Sequence, residues 1–273
     1  MRPRRGGRVN LQIIRRLTKL AVDMWIILAA AVLPALLLLY YVYSKDFNRE
    51  PKRLVLRGFL YGGLATFAST LISGPLLNMG LYVNEPSTFS EALKVSFFGA
   101  AIPEETAKLF MLWLLLRKSR EFDERYDGLV YAAAVGLGFA CLENLMYVLS
   151  SGAAWFYVSV TRALLAVPGH FSFAIVMGYF YSRNHFDWAS VRPWDRIKVW
   201  LYPVILHGVY DTLAFSSEIS TAVSGMITLL LLAFCYFLFK STRNRILTEA
   251  ALNRRESTLY YDPRFDNGSP DEQ

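Results

Sequence analysis

The side chains with chemistry to offer in this sequence lie within apolar stretches: Glu104, Glu105, Lys108, Glu143, Asn144, His170, His207 and Asp211. An ionisable group at mid-membrane costs about 2.5 to 3.5 kcal/mol on insertion scales, so each needs a partner or a function. Carboxylates can take a proton from water, and imidazoles can polarise a carbonyl or ligate a metal. A lysine among carboxylates supplies the positive charge that a buried carboxylate needs to stay ionised. The set therefore suits hydrolysis by an activated water, and it equally suits a proton or ion relay in a transporter.

Spacing groups these residues. Glu104 with Lys108, Phe139 with Glu143, and His207 with Asp211 are i, i+4 pairs on shared helix faces, and Glu105 is three residues before Lys108. Pro103 precedes Glu104, Pro168 lies two before His170 and Pro203 four before His207. Each proline frees a backbone carbonyl and opens its helix locally. Plainer readings exist for each feature. Glu104 and Lys108 could form a structural ion pair, His170 could bridge helices by a hydrogen bond, and the prolines could simply kink. Arg162, near a span end, reads as a snorkelling residue.

The elements that must carry these groups are membrane helices. Apolar residues make up 54% of the 273 positions and charged residues 19%, with the charges gathered between long apolar runs. About 20 apolar residues cross a hydrocarbon core of roughly 30 Å. Spans are expected at roughly 24–43, 58–80, 92–116, 128–150, 158–181, 198–215 and 222–240. The fold expectation is an all-α polytopic bundle of about seven spans, with kinked helices around a buried polar site. The chain divides into a basic N-terminal tail at 1–23, a membrane domain at 24–240 and a basic-to-polar tail at 241–273, disordered from about 249.

Basic residues alternate between loops. Segment 44–57 holds five and 81–91 none; 117–127 holds four and 151–157 none; 182–198 holds four and 216–221 none. The basic loops should be cytoplasmic, which makes the cell membrane the expected location. Seven basic residues in 1–23 conflict with a simple first span, leaving either an outer N-terminus or a re-entrant element at Pro34. The charge of +7 is explained by lipid headgroups and topology, so nucleic acid is not an expected partner. Cys141 and Cys235 read as small apolar residues inside spans.

Counting about 1.5 Å per residue from the basic span ends gives a common depth. His207 falls roughly 15 Å deep, His170 and Glu105 about 18 Å, Glu104 and Asp211 about 20 Å, and Glu143 about 24 Å. Four helices thus present polar groups near one level.

These residues resemble the PrsW family of intramembrane proteases. Glu104, Glu105 and Lys108 match its Glu-Glu-x-x-Lys motif, Phe139, Glu143 and Asn144 its Phe-x-x-x-Glu-Asn motif, and His170 and His207 with Asp211 its intramembrane histidines. Asp46, Glu50, Pro51, Asp127, Gly128 and Arg162 also look like the family, so the likeness runs over about 34–240. The plan is similar to that of CAAX prenyl endopeptidases, with Glu143 and Asp211 standing where those have His and Asn. The resemblance implies an endopeptidase whose partners are the lipid bilayer and a membrane-tethered regulatory protein as substrate. It leaves two mechanisms open: water activated by Glu104, or a metal, with zinc the candidate and Glu143, His170, His207 and Asp211 the candidate ligands. A proton-coupled transporter or a non-catalytic scaffold remains the alternative; a transporter would often show repeated halves, which this sequence lacks.

Overall fold

A computed structural model describes the backbone at residues 6–219 and 221–260, and side chains at 24–219 and 222–258. Among the described residues there are seven long helices and no strands. They are α1 (Gly6–Lys45), α2 (Lys52–Asn78), α3 (89–116), α4 (Asp127–Ser150), α5 (155–186), α6 (Lys198–Ile219) and α7 (Thr221–Tyr260).

Five of the seven, α1, α2, α4, α5 and α7, are long and apolar enough to cross a membrane. The expected count of about seven spans is therefore slightly high on that criterion. The two that fall short carry much of the site's charge: α3 bears Glu104, Glu105 and Lys108, and α6 bears His207 and Asp211. The protein is a multi-pass membrane protein. Cys141 and Cys235 are both buried free thiols.

The helices run alternately between two ends. Loop 46–50 meets 119–127 through a bond from Asn48 to Glu124, Arg125 pairs with Asp187 at 2.6 Å, and Asn253 reaches Asp46 at 3.5 Å. The basic segments thus share one end of the bundle. Helix α1 continues unbroken through Pro34, so no re-entrant element occurs there and its start lies at the opposite end from Asp46.

Helix α4 is the centre, buried along most of its length and packed by α1, α2 and α5. Small residues permit this close packing. A Cβ on Gly138 would stand 1.9 Å from the Phe59 carbonyl oxygen, and one on Gly62 would stand 2.0 Å from that of Val135. Helices α2 and α4 therefore meet backbone to backbone.

Helices α3 and α5 are each wound in two parts. In α3 a π-helical stretch at Val95–Ala101 leads into the α-helix Ile102–Leu116, with Pro103 in its first turn. In α5 a π-helical stretch at Arg162–Ala166 leads into Val167–Phe186, with Pro168 in its first turn. A proline lacks the N–H that would close an α-turn behind it, and its ring crowds the carbonyl four residues back; the wider π-turn relieves both. Pro203 sits within α6 without interrupting it.

At the basic end α7 stays helical to Tyr260, beyond the point where the sequence loses its apolar period. Asn253 bonds to Asp46 and Ser257 accepts from Asn48, which hold this polar stretch against the first loop. Residues 261–273 of the expected tail lie outside the described residues, as do the side chains of 1–23.

Candidate active site

The second parts of α3 and α5 each open on a proline and then present polar side chains inward. From α3, Lys108 Nζ lies 2.8 Å from Glu105 Oε1 and 3.4 Å from Glu104 Oε2. It also lies 3.1 Å from His170 Nδ1 on α5, and 4.0 Å from the centre of the Phe139 ring on α4. An ammonium only donates, so Nδ1 of His170 accepts and the ring proton is on Nε2. That nitrogen donates to Glu143 Oε2 of α4 at 2.8 Å.

His207 on α6 is held between two acids. Its Nδ1 is 2.8 Å from Glu105 Oε1 and its Nε2 is 3.2 Å from Asp211 Oδ2. A ring facing carboxylate oxygens on both sides is matched by the form that donates from both nitrogens. The Phe173 ring stacks on it with centroids 4.9 Å apart. The two imidazoles stand edge to face at 5.0 Å. Four helices therefore bring Glu104, Glu105, Lys108, Glu143, His170, His207 and Asp211 into one connected network.

Asn144 is the outer support. Its Nδ2 donates to the Ala31 carbonyl of α1 at 2.9 Å, and its Oδ1 accepts from Arg162 Nε at 3.1 Å. Arg162 also donates to Glu143 Oε2 at 2.6 Å and lies over the Tyr147 ring. The snorkelling reading of Arg162 is thus corrected: the guanidinium turns into the bundle because the π-helical start of that stretch aims it at α4. The signal available in sequence was a spare carboxylate at Glu143 with no cation on its own helix.

Access distinguishes the two adjacent glutamates. Glu105 is fully buried between Lys108 and His207, whereas Glu104 keeps 13% of its side-chain surface exposed and lies 3.9 Å from His207 Nε2. Four carboxylates face the two permanent cations Lys108 and Arg162. Protons on imidazole or a bound cation must complete the balance.

Comparison with known proteins decides the family. Residues 50–239 match the model described as PrsW family intramembrane metalloprotease. The chain belongs to the PrsW family. It is 38% identical over 204 residues to Protease PrsW of Geobacillus kaustophilus, covering 71% of this chain and 82% of that one. It is 31% identical over 223 residues to the Oceanobacillus iheyensis protein, covering 81% and 98%, and 35% over 191 residues to that of Bacillus subtilis, covering 69% and 82%. No solved structure matches. Like other PrsW proteins this chain is an intramembrane protease, with a protein substrate and a membrane setting.

The family description includes a metal, and the residues of this PrsW chain suit one. Glu104, Glu105, His170 and His207 each offer a ligand atom, all within 4.8 Å of one another. Imidazole nitrogen with carboxylate oxygen is a zinc donor set, and Glu105 Oε2 is buried without a partner. Glu143 and Asp211, expected among the ligands, lie outside that group. They contact the histidines through Nε2, Glu143 on His170 and Asp211 on His207, as carboxylate partners of metal-binding histidines do.

Proposed function

We propose that this protein hydrolyses a peptide bond of a membrane-tethered regulatory protein inside or at the edge of the cell membrane, with Glu104 as general base. The supporting observation is the contrast between the paired glutamates. Glu105 is fully enclosed, with Lys108 and His207 both on its Oε1, while Glu104 stands beside the same groups with its carboxylate partly open. A base needs both an ionising partner and room for water, and Glu104 has both.

In this reading Glu104 takes a proton from the attacking water and later returns it to the leaving amine. His207 and His170 polarise the scissile carbonyl through the Nε2 protons that Asp211 and Glu143 hold in the free protein, and donors aimed at the developing oxyanion lower the barrier. Lys108 keeps the carboxylate pair ionised, and Glu143 with Arg162 and Asn144 fixes His170 in place. A zinc ion, when bound, would be held by His170, His207 and Glu105 and would supply a Lewis acid that activates water. The domain that carries this activity spans 24–240, with 1–23 and 241–273 as flanking segments.

The test is cleavage of a membrane-tethered substrate by purified protein in detergent. Glu104→Gln should lower kcat by about 100-fold or more, and His207→Ala should do the same, with both variants accumulating normally. Chelation followed by zinc addition separates the two ways of activating water: recovery specific to zinc assigns the metal, and full activity after rigorous chelation assigns Glu104 alone. Parental activity in Glu104→Gln would overturn the assignment of the base.

A further inference from the structure

A second acidic cluster stands at the basic end of the bundle, separate from the hydrolytic network. Asp46 and Glu50 come from the loop after α1, and Asp127 from the first turn of α4; one oxygen of each lies within 4.8 Å of one of each other. All three are buried, at 5%, 5% and 0% exposure. Among the described residues no lysine, arginine or histidine forms an ion pair with any of them.

Each carboxylate is positioned by protein donors through one oxygen. Asn253 Nδ2 lies 3.5 Å from Asp46 Oδ1, the Tyr131 hydroxyl donates to Glu50 Oε2, and the amides of Asp123 and Glu124 donate to Asp127 Oδ2 at 3.0 and 2.7 Å. Asp46 Oδ2 and Asp127 Oδ1 remain, both buried and both without a partner. Three converging acids, two of them with an orphaned oxygen, form when ionised a buried negative charge that no cation of the protein neutralises, a costly state.

We propose that Asp46, Glu50 and Asp127 bind a hard divalent cation, of the magnesium or calcium class, that clamps the first loop to the start of α4. The donor set is oxygen alone, which suits such ions and not zinc. The network around the acids extends the clamp. Asn253 ties the end of α7 to Asp46, Asn48 bonds both Glu124 and Ser257, and the Tyr126 hydroxyl holds the Val42 carbonyl at 3.0 Å. The ion would join two stretches distant in sequence, the first loop and the start of α4, to which Asn253 fastens the end of α7.

The experiment is thermal unfolding of the full chain in detergent at pH 8, stripped with chelator and titrated with magnesium or calcium chloride against sodium chloride of matched ionic strength. The expected result is a saturable rise in Tm of a few degrees with at least one of the two ions. Asp127→Asn and, as a second variant, Asp46→Asn should lose that rise, because each neutralises a ligand while keeping its shape. Glu104→Gln should retain it, since that residue belongs to the hydrolytic network. No rise in the parent beyond the sodium control would overturn the proposal. So would a rise preserved in both asparagine variants, or one abolished by Glu104→Gln alone.

Discussion

Nζ of Lys108 stands 3.1 Å from Nδ1 of His170, so the fixed cation of α3 rests against the inward edge of the imidazole on α5. The same ammonium contacts both glutamates, which makes it the joint between the proposed base and the histidines. Replacing it with methionine keeps the volume and removes three donors. Lys108→Met should therefore accumulate normally and lose about 10- to 100-fold in kcat, and Lys108→Arg should retain more activity. Steady-state cleavage, normalised to folded protein, decides this; a methionine variant at the parental rate would make Lys108 purely structural.

Arg162 offers a second check of the same network from its outer side. Arg162→Ala strands Glu143 without its guanidinium and leaves Asn144 Oδ1 without its donor. The expected loss is about 10- to 100-fold in activity. Arg162→Lys should recover only part of it, because an ammonium cannot serve Glu143 and Asn144 together in the fork geometry of arginine. Parallel cleavage assays of the two variants test the ordering.

The α2–α4 contact predicts stability rather than activity. Gly138→Ala and Gly62→Ala place a Cβ about 2 Å from a carbonyl oxygen, so the helices must separate. A loss of about 1 to 3 kcal/mol is expected for each. Gly74→Ala is the control, since nothing lies within 4 Å of its added Cβ. Unfolding in mixed micelles should rank the three accordingly.

Acid titration at the basic end gives a pH signature in chelated protein. Burial, aided by the charges of Asp127 and Glu124, pushes the Asp46 carboxyl up to about 7. Burial likewise pushes Glu50 up to about 7; the Tyr131 and Asp127 hydrogen bonds oppose this, and the charges of Asp46 and Asp123 add to it. Both folded values exceed the unfolded ones near 4, so between about pH 4 and 7 the folded state holds protons that the unfolded chain has released. Stability from this pair falls as pH rises through that window and levels off above it. Tm should be higher at pH 5.5 than at pH 8, and Asp46→Asn should flatten the difference.

Most of the helical frame was legible in the sequence because apolar length and basic loops are local signals. Glu104, Glu105, Lys108, His170 and His207 were legible too, since a polar group in an apolar run stands out. The π-turns before Pro103 and Pro168 were not, because one extra residue in a turn barely changes a periodicity window. Arg162 was misread since its partner Glu143 lies on another helix. The helical path of 249–260 was hidden for a related reason: its support comes from Asn48 and Asp46, about 200 residues earlier in the chain. Helices α3 and α6 were expected as spans on their length, and the polar groups already noted within them are what lowers their apolar character below that of the other five.

The two-part winding of α3 and α5 makes each of them a pair of screws on one axis with separately set phase. An α-helix turns about 100° per residue, and a π-turn absorbs one residue that an α-turn would have used to advance. Removing one residue within 95–101 would restore uniform winding, and because the π-turn had already absorbed that residue, the outer segment, with Phe89 to Lys94, would keep nearly the same facing against the inner one. Glu104 and Lys108 lie on the inner screw, so their contacts with α5 and α6 would be preserved as well. A one-residue deletion at either turn should thus leave the polar network and the outer face both in place, whereas the same deletion elsewhere in the helix would swing one against the other by about 100°.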